Sequence, residues 1–274
     1  MSRNPLIIYH DDCFDGFAAA WIAQHTIAEE CELLPAKYGD EPPDTQDRMV
    51  YVLDFSYTRE QMVLMHRRAT LMIVLDHHKT AAEACMGLDF CTFDMQRSGC
   101  GLAWNYFQGG ERPPRWIQYI EDRDIWKFRY GEATRYFHAF LSSMPMTINA
   151  WDTLIHRPLK NMLASGRDIY DYINTLIDKE ARQARMIEFC GEPAVVLNFT
   201  RANNSEMGHY LLTTHPKASF SITYYQVNDS SWRYDLRSGV KKQFDVGALA
   251  KTFGGGGHAK AAGFTTSFLL GDIG

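Results

Sequence analysis

The stretch MIVLDHHKTA, residues 72 to 81, decides the fold: four apolar residues run directly into Asp76, His77 and His78. A short apolar run of this kind is typical of a buried strand, and adjacent ionisable side chains are typical of the point where it ends. Two further stretches, LIIYH (6 to 10) and MVYVLDF (49 to 55), also precede helix-like sequences. Three strand–loop–helix units predict a doubly wound parallel sheet.

Polar residues gather where these strands are predicted to end. In a doubly wound sheet, ligands bind outside the carboxyl ends of the strands, so residues distant in sequence meet there. Carboxylates and imidazoles without a thiolate set favour Mn²⁺ or Mg²⁺, and the histidines favour Mn²⁺. A single Asp after a strand is more often a helix cap, but three strand ends together favour a metal site. The residues are Asp12, Asp15, Asp54, Asp76, His77 and His78.

The chain is expected to form two domains joined by a helical linker. Apolar residues recur at helical spacing from about residue 98 to 190, and beyond that point β-type runs alternate with helix candidates. We therefore predict an α/β fold with three parts: residues 1–145, a parallel-sheet domain with the metal site; residues 146–190, the linker; and residues 191–274, a smaller mixed α/β domain.

Composition excludes some classes of protein. The chain has 274 residues and 28 Lys plus Arg against 33 Asp plus Glu, a net charge of -5, which argues against binding long duplex DNA. The six cysteines show no paired framework and no signal peptide is evident, so we expect a reduced, cytoplasmic protein. No apolar run approaches the ~20 residues of a membrane span, so no membrane role is expected.

Three segments are candidates for binding phosphate. In FGGGGHAKAAGF (253 to 264), the glycines, including Gly256 and Gly257, together with His258 suit an anion cradle, although a flexible turn is the plainer interpretation. DLRSG (235 to 239) supplies Arg237 and Ser238 as donors, with Arg237 as a surface residue the alternative. Arg97 and Ser98 precede a predicted helix, where they would bind phosphate or Ser98 would serve as a plain N-cap.

Several motifs in order resemble those of one known family. VLDHHKT resembles the signature of the DHH phosphoesterases, IIYHDDCFDGFAAAW their first motif, YVLDFSY the second and YIEDRDIW the fourth. The segments DLRS and FDVGALAKTFGGGGHAKAAGF resemble the DHH-associated substrate-binding domain. The resemblance implies a phosphohydrolase with two Mn²⁺ ions, for which Mg²⁺ or Co²⁺ are candidate substitutes, in the N-terminal domain, and a C-terminal domain that closes over substrate.

The resemblance also implies roles for individual residues. His10 and Asp54 would hold the first ion, and Asp15, Asp54, His77 and Asp122 the second, so that Asp54 bridges. Asp76 would orient an imidazole. His78 would face the substrate phosphate, and Arg237 or His258 would stabilise its charge.

The sequence departs from the family pattern at its first motif. The family has Asp-x-Asp-Gly, but the residue two positions before Asp15 is Cys13. Either Asp12 reaches the first ion or Cys13 lies beside it, and we expect Asp12. In the fourth motif we expect Asp122 to be the ligand, with Asp124 as its substitute.

The expected function is that of a phosphodiesterase that cleaves small nucleotides, with a cyclic nucleotide, pAp or a short oligonucleotide as the candidate substrate, by means of a hydroxide activated between two metals. One alternative is exopolyphosphatase or pyrophosphatase activity, with polyphosphate as a substrate. The alternative from another class is a non-catalytic nucleotide or single-strand binder. A homodimer is kept open.

Overall fold

The computed structural model describes residues 4–27, 30–199, 203–239 and 244–271. The chain forms two compact units, Met1–Tyr170 and Asp171–Gly274. One contains a parallel sheet and the other a mixed sheet, so the predicted two-domain α/β fold class is confirmed.

The sheet of the first unit is parallel throughout, with five strands in the described residues in the order β2-β1-β3-β4-β5. Because all of its strands run in the same direction, their carboxyl ends meet at one edge of the sheet. The strands are β1 (Leu6–His10), β2 (Glu32–Ala36), β3 (Met49–Leu53), β4 (Leu71–Asp76) and β5 (Cys91–Phe93). The strands predicted from LIIYH, MVYVLDF and MIVLDHH are β1, β3 and β4.

Helices cover both faces of this sheet, as parallel sheets require. On one face, α1 and α4 pack in a core that includes Trp21, Ile117 and Trp151. The other face carries a second core with Met62 of α2 and Phe55. The helices are α1 (Phe14–Thr26), α2 (Arg59–Arg68), α3 (Lys79–Ala84), α4 (Gly99–Phe107), α5 (Arg115–Asp124), α6 (Glu132–Leu141), α7 (Ile148–Leu154) and α8 (Leu159–Glu180).

Local sequence explains where several of these helices begin. Thr58 and Gln61 form a capping box at the start of α2, and Ser98 caps α4 by accepting a hydrogen bond from the backbone N–H of Gly101. The Ala-rich sequence of α1 lets that helix lie close against the sheet, where its residues 15–23 are buried.

The second unit has a mixed sheet with the order β10-β11-β9-β8-β7-β6 in its described residues. Only β7 and β8 run parallel there, and α9 (Asn204–Thr214) connects them. A two-residue turn of Cys190 and Gly191, both with positive φ, joins β6 to β7. The strands are β6 (Arg185–Phe189), β7 (Glu192–Asn198), β8 (Phe220–Asn228), β9 (Ser231–Ser238), β10 (Gly256–His258) and β11 (Ala261–Thr266), and α10 (Val246–Thr252) precedes β10.

Among the described residues, no helix is both long enough and apolar enough to cross a bilayer.

Candidate metal centre

Three neighbouring strands of the parallel sheet deliver the central residues of the site. His10 is the last residue of β1, Asp54 follows β3, and Asp76 ends β4 immediately before His77 and His78. Asp54 has a φ of 57°, a left-handed backbone that Asp tolerates better than most residues. This turn immediately follows the buried strand β3.

Two helices contribute further carboxylates. Asp15 lies in the first turn of α1, and Asp124 is the last residue of α5. Asp15 is 1% exposed, and Asp124 is partly buried. Both carboxylates approach the ring of His77, with oxygens 3.9 Å and 3.3 Å from its Nε2.

The side chains fall into two groups whose nitrogen and oxygen atoms are close enough to share an ion. In each group the ligand atoms lie within 4.8 Å of one another. One group is His10, Asp54 and His78, and the other is Asp15, His77 and Asp124.

Asp54 connects the two groups. Its Oδ2 lies 3.5 Å from Nδ1 of His10, and its Oδ1 lies 3.0 Å from Nε2 of His77. A carboxylate with one oxygen toward each group has the placement of a bridging ligand in a two-metal site.

The donor set fits divalent cations. Both oxygens of Asp54, Oδ2 of Asp124 and Nδ1 of His10 are buried, and the described residues provide none of them with a hydrogen bond of acceptable geometry. Buried polar atoms ordinarily have such partners. Nearby carboxylate oxygens and imidazole nitrogens that do not satisfy one another are suited to coordinate Mn²⁺ or a related ion.

The electrostatics of the centre also favour a cation. Burial raises the pKa of Asp15 well above its ordinary value, and the charges of Asp54 and Asp124 raise it further. Burial would raise the pKa of Asp54 as well, but contacts with His10 and His77 hold it well below its ordinary value. Burial would lower the pKa of His77, but the charges of Asp124 and Asp54 raise it well above normal. Crowded carboxylates thus require positive charge, from protons or from metal.

Asp76 fixes the backbone of residues 76–78 and the ring of His78. Its Oδ1 accepts hydrogen bonds from the backbone N–H groups of His77 and His78 and lies 2.7 Å from Nδ1 of His78. Its Oδ2 accepts a bond from the hydroxyl of Ser56 at 2.6 Å. Because Asp76 engages Nδ1 of His78, Nε2 is the nitrogen that can bind a ligand. Ser56, which lies two residues after Asp54, was not predicted from the sequence to take part.

The N-terminus of α4 fixes Asp15. The backbone N–H groups of Gly99 and Cys100 donate to the two oxygens of its carboxylate. These N–H groups of the first turn of α4 therefore bind a carboxylate of the protein.

Arg97 and Ser98 are held by protein contacts. Nε of Arg97 donates to Glu121 at 2.5 Å, and Nη2 donates to the carbonyl of Gly101 at 2.9 Å. Ser98 is 0% exposed and caps α4. The structure therefore favours the capping interpretation of Ser98 and gives Arg97 a role in joining α4 to α5.

The structure places Asp124, and not Asp122, in the centre, which corrects our preference. The carboxylate of Asp122 accepts hydrogen bonds from the backbone N–H groups of Arg129 and Tyr130 and from the hydroxyl of Thr134. Two residues along a helix are about 200° apart around its axis, so the two carboxylates face different sides.

The preference for Asp12 is also corrected. Asp12 is exposed, has a φ of 56° and belongs to neither ligand group. Cys13 lies beside the carboxylates: burial raises the pKa of its thiol well above normal, as do the charges of Asp54, Asp124 and Asp15. The substitution in the first motif therefore places a neutral thiol next to the centre.

A small cavity of about 70 Å³ adjoins the centre. Asp15, Asp124 and Cys13 line it, together with apolar side chains such as Phe14 and Phe137. Its volume is that of a few water molecules, since each occupies ~30 Å³ in the liquid.

An aromatic residue that the sequence analysis did not identify borders the centre. The ring of Tyr38 lies 5.7 Å from that of His10, 6.0 Å from that of His78 and 5.1 Å from that of Phe55, measured between centroids. Recognising β2 as a strand would have placed Tyr38 at the same sheet edge.

The second unit places its predicted phosphate ligands on adjoining strands. His258 and Arg237 are both paired with Ala261, so one row crosses β10, β11 and β9. Cross-strand partners project from the same face of a sheet. Arg237 donates to the hydroxyl of Ser205 at 2.6 Å and to the carbonyl of Leu236, and Ser238 is buried.

The glycine-rich segment is a hairpin. Gly256 and Gly257 belong to β10, which pairs with β11. Gly257 has a φ of 134°, and a Cβ there would lie 2.6 Å from the carbonyl oxygen of Ala261. Close backbone packing therefore accounts for this glycine.

Four tryptophan side chains of the first unit make packing or hydrogen-bond contacts within it. Trp116 and Trp151 are buried in the core of the first unit, Trp126 stacks under Arg123 at 4.1 Å, and Trp104 donates to the carbonyl of Glu111.

Comparison with known proteins identifies distant relatives. No protein-family model matches the chain. An uncharacterised protein of Acanthamoeba polyphaga mimivirus is 26% identical over 289 residues, covering 97% of this chain and 68% of the viral protein.

Two solved structures are similar to this one. The pGpG-specific phosphodiesterase PggH of Vibrio cholerae has a TM-score of 0.54 at 15% identity, over 97% of this chain and 94% of that protein. An uncharacterised protein of Helicobacter pylori G27 has a TM-score of 0.42 at 15% identity, over 99% of this chain and 95% of the other. The chain thus shares the fold of PggH.

Proposed function

We propose that this protein is a metal-dependent phosphodiesterase that cleaves small nucleotides or short oligonucleotides. The observation that carries the proposal is the pair of largely buried ligand groups that Asp54 connects at the carboxyl edge of a parallel sheet. Such a centre has the charge and donor atoms for phosphoryl chemistry.

Similarity to a known phosphodiesterase supports the reaction class. PggH, named for its action on pGpG, shares the fold along nearly the whole length of both chains. The ordered motifs support the further proposal that the chain is a divergent member of the DHH phosphoesterases.

We assign the ligands from the groups in the structure. His10, Asp54 and His78 would hold one ion, and Asp15, His77 and Asp124 the other, with Asp54 between them. Mn²⁺ is the proposed ion, with Mg²⁺ and Co²⁺ as candidate substitutes. Two bound divalent ions would supply a water of lowered pKa and neutralise charge on the phosphoryl group.

The protein's own residues prepare this centre. Asp76, with Ser56 behind it, fixes the ring of His78. The first turn of α4 holds Asp15 by two backbone N–H groups. These contacts hold the ligands in place before substrate binds, so little reorganisation accompanies the reaction.

The test is hydrolysis by the purified full chain, with added Mn²⁺, of pGpG, pAp, cyclic dinucleotides, short RNA, pyrophosphate and polyphosphate. We expect turnover on a nucleotide phosphodiester and its loss on addition of EDTA. Turnover that survives exhaustive chelation would refute metal dependence. Turnover confined to polyphosphate or pyrophosphate would refute the substrate class.

Asp54→Asn supplies the decisive variant. Asn tolerates the left-handed backbone at this position, so the fold should persist while both ions bind less tightly. Asp168→Asn, at an exposed position on α8, is the matched control. Elemental analysis that finds two ions still bound to Asp54→Asn would contradict the bridging assignment.

A further inference from the structure

Tyr38 lies at the same edge of the sheet as the metal centre. It follows β2, and β2 is the neighbour of β1 in the sheet. The carboxyl ends of parallel strands meet at one edge, which brings the residue after β2 beside His10, at the end of β1.

Local contacts hold the turn that carries Tyr38. The backbone N–H of Lys37 donates to the carboxylate of Asp40 at 2.8 Å, and the backbone N–H of Asp40 donates back to the carbonyl of Lys37. Gly39, with a φ of 100°, supplies a left-handed backbone for the turn. Nζ of Lys37 lies 2.8 Å from the carboxylate of Asp11. The position of the tyrosine is therefore set before any ligand arrives.

The side chain of Tyr38 is only partly covered by its neighbours. It contacts His10, His78 and Phe55, yet 55% of the residue is exposed, whereas Phe55 is 1% exposed. Exposed apolar residues are ordinary on protein surfaces. This one differs from the other exposed aromatic residues in the described ranges, Tyr106, Tyr172 and Phe268, none of which has a ring contact with the centre.

The chemistry of this rim favours a base over a second phosphate. A nucleobase has a flat π surface that stacks on an aromatic ring, and stacking is tolerant of base identity. A polyphosphate chain would need free cations next to the centre, but the lysine adjacent to Tyr38 pairs with Asp11.

We infer that Tyr38 is a stacking platform for a nucleobase of the substrate whose phosphodiester lies at the metal centre. The inference rests on the proposed function and narrows its substrate class to esters with a base next to the reacting phosphate. Inorganic polyphosphate and pyrophosphate would not use this contact.

The experiment compares Tyr38→Ala, Tyr38→Leu and Tyr38→Phe with the wild type in the full chain with Mn²⁺. The substrates are 5′-phosphorylated diadenylate and two analogues in which hydrogen replaces one base or the other. Tyr172→Ala removes a tyrosine that is 65% exposed and is the matched control. Metal content is measured for every variant, because Tyr38 touches two candidate ligands.

We expect Tyr38→Ala to raise KM for the dinucleotide about 5- to 150-fold, the range for loss of one aromatic–base stack. Tyr38→Leu should raise KM for the dinucleotide nearly as much, whereas Tyr38→Phe and Tyr172→Ala should have KM values close to that of the wild type. For the analogue that lacks the stacked base, wild type and Tyr38→Ala should have the same KM. Equal KM values on the complete dinucleotide, or the same loss on both abasic analogues, would overturn the inference.

A binding measurement separates this inference from the proposed function. If the wild type hydrolyses none of the nucleotides in the substrate panel, the proposed function fails, and AMP binding is then measured by calorimetry with Mn²⁺. AMP affinity that falls in Tyr38→Ala but persists in Tyr38→Phe would still support stacking. The same affinity in Tyr38→Ala as in the wild type, or no binding to either, would overturn it.

Discussion

Gly99→Ala should damage the candidate metal centre from a residue that ligates nothing. Gly99 is the first residue of α4, and a Cβ at this position would lie 2.8 Å from Cγ of Asp54 and 2.9 Å from Oδ2 of Asp15. Side-chain Cβ atoms essentially never approach other atoms within 3.0 Å. Both carboxylates are buried, so the first turn of α4 has to move.

The magnitude follows from three effects. Overpacking costs about 1–3 kcal/mol, and weakening the bonds from Gly99 and Cys100 to Asp15 adds about 1.5–3 kcal/mol. Replacing Gly by Ala in a helix returns about 0.4–1 kcal/mol through the unfolded state. Because the two costs share one movement and do not add fully, we expect a net loss of about 1–3 kcal/mol in the free energy of unfolding.

The assay is urea unfolding in EDTA, followed by circular dichroism, together with Mn²⁺ titration calorimetry. We expect a lower unfolding midpoint and weaker Mn²⁺ binding in Gly99→Ala. Gly271→Ala is the control, because a Cβ there would have no neighbour within 4 Å. A Gly99→Ala protein with wild-type stability and Mn²⁺ affinity would refute the close approach of α4 to the centre.

Three further predictions concern the surroundings of the centre. Asp124→Asn should weaken Mn²⁺ binding. Asp122→Asn should keep the metal but lower the free energy of unfolding by about 1–3 kcal/mol, because it weakens the bonds from Arg129 and Thr134. Calorimetry and urea unfolding measure the two effects, and the reverse pattern would contradict this assignment. Ser56→Ala should cost about 1.5–3 kcal/mol by depriving buried Asp76 of a donor, and an unchanged urea midpoint would contradict that bond. Despite burial, His78 lowers the pKa of Asp76, and Asp76 raises that of His78. The pair should therefore stabilise the metal-free protein fully between about pH 4 and 6.5. The contribution of Asp76 is lost as the pH falls through its lowered pKa, and that of His78 is lost as the pH rises through its raised pKa. In His78→Gln, the urea midpoint measured in EDTA should therefore fall less steeply as the pH rises above about 6.5, and a fall as steep as in the wild type would contradict the pair.

Local patterns were sufficient to predict the fold class and to place several of the candidate ligands at one edge of the sheet. Apolar runs that end in Asp54 and in the Asp76–His78 segment identify buried strands, because both faces of a parallel sheet exclude water. Strand β2, whose sequence ELLPA contains a proline, and the three-residue strand β5 carry weaker patterns and were missed. Because β2 was not predicted, Tyr38 was not predicted either: its position beside His10 depends on the order of the strands in the sheet and not on any motif.

The sequence by itself determined that carboxylates and imidazoles would meet at one sheet edge, since strand direction alone brings His10, Asp54 and His77 there. Only the tertiary structure decided which neighbours of those residues take part. Asp122 and Asp124 are equivalent in composition, but the start of α6 binds the first and leaves the second to the centre. Asp12 and Cys13 are likewise adjacent, and the turn into α1 directs the thiol, not the carboxylate, toward Asp54. The physical reason is that a side chain's direction depends on backbone dihedrals and packing, which spacing along the chain does not specify.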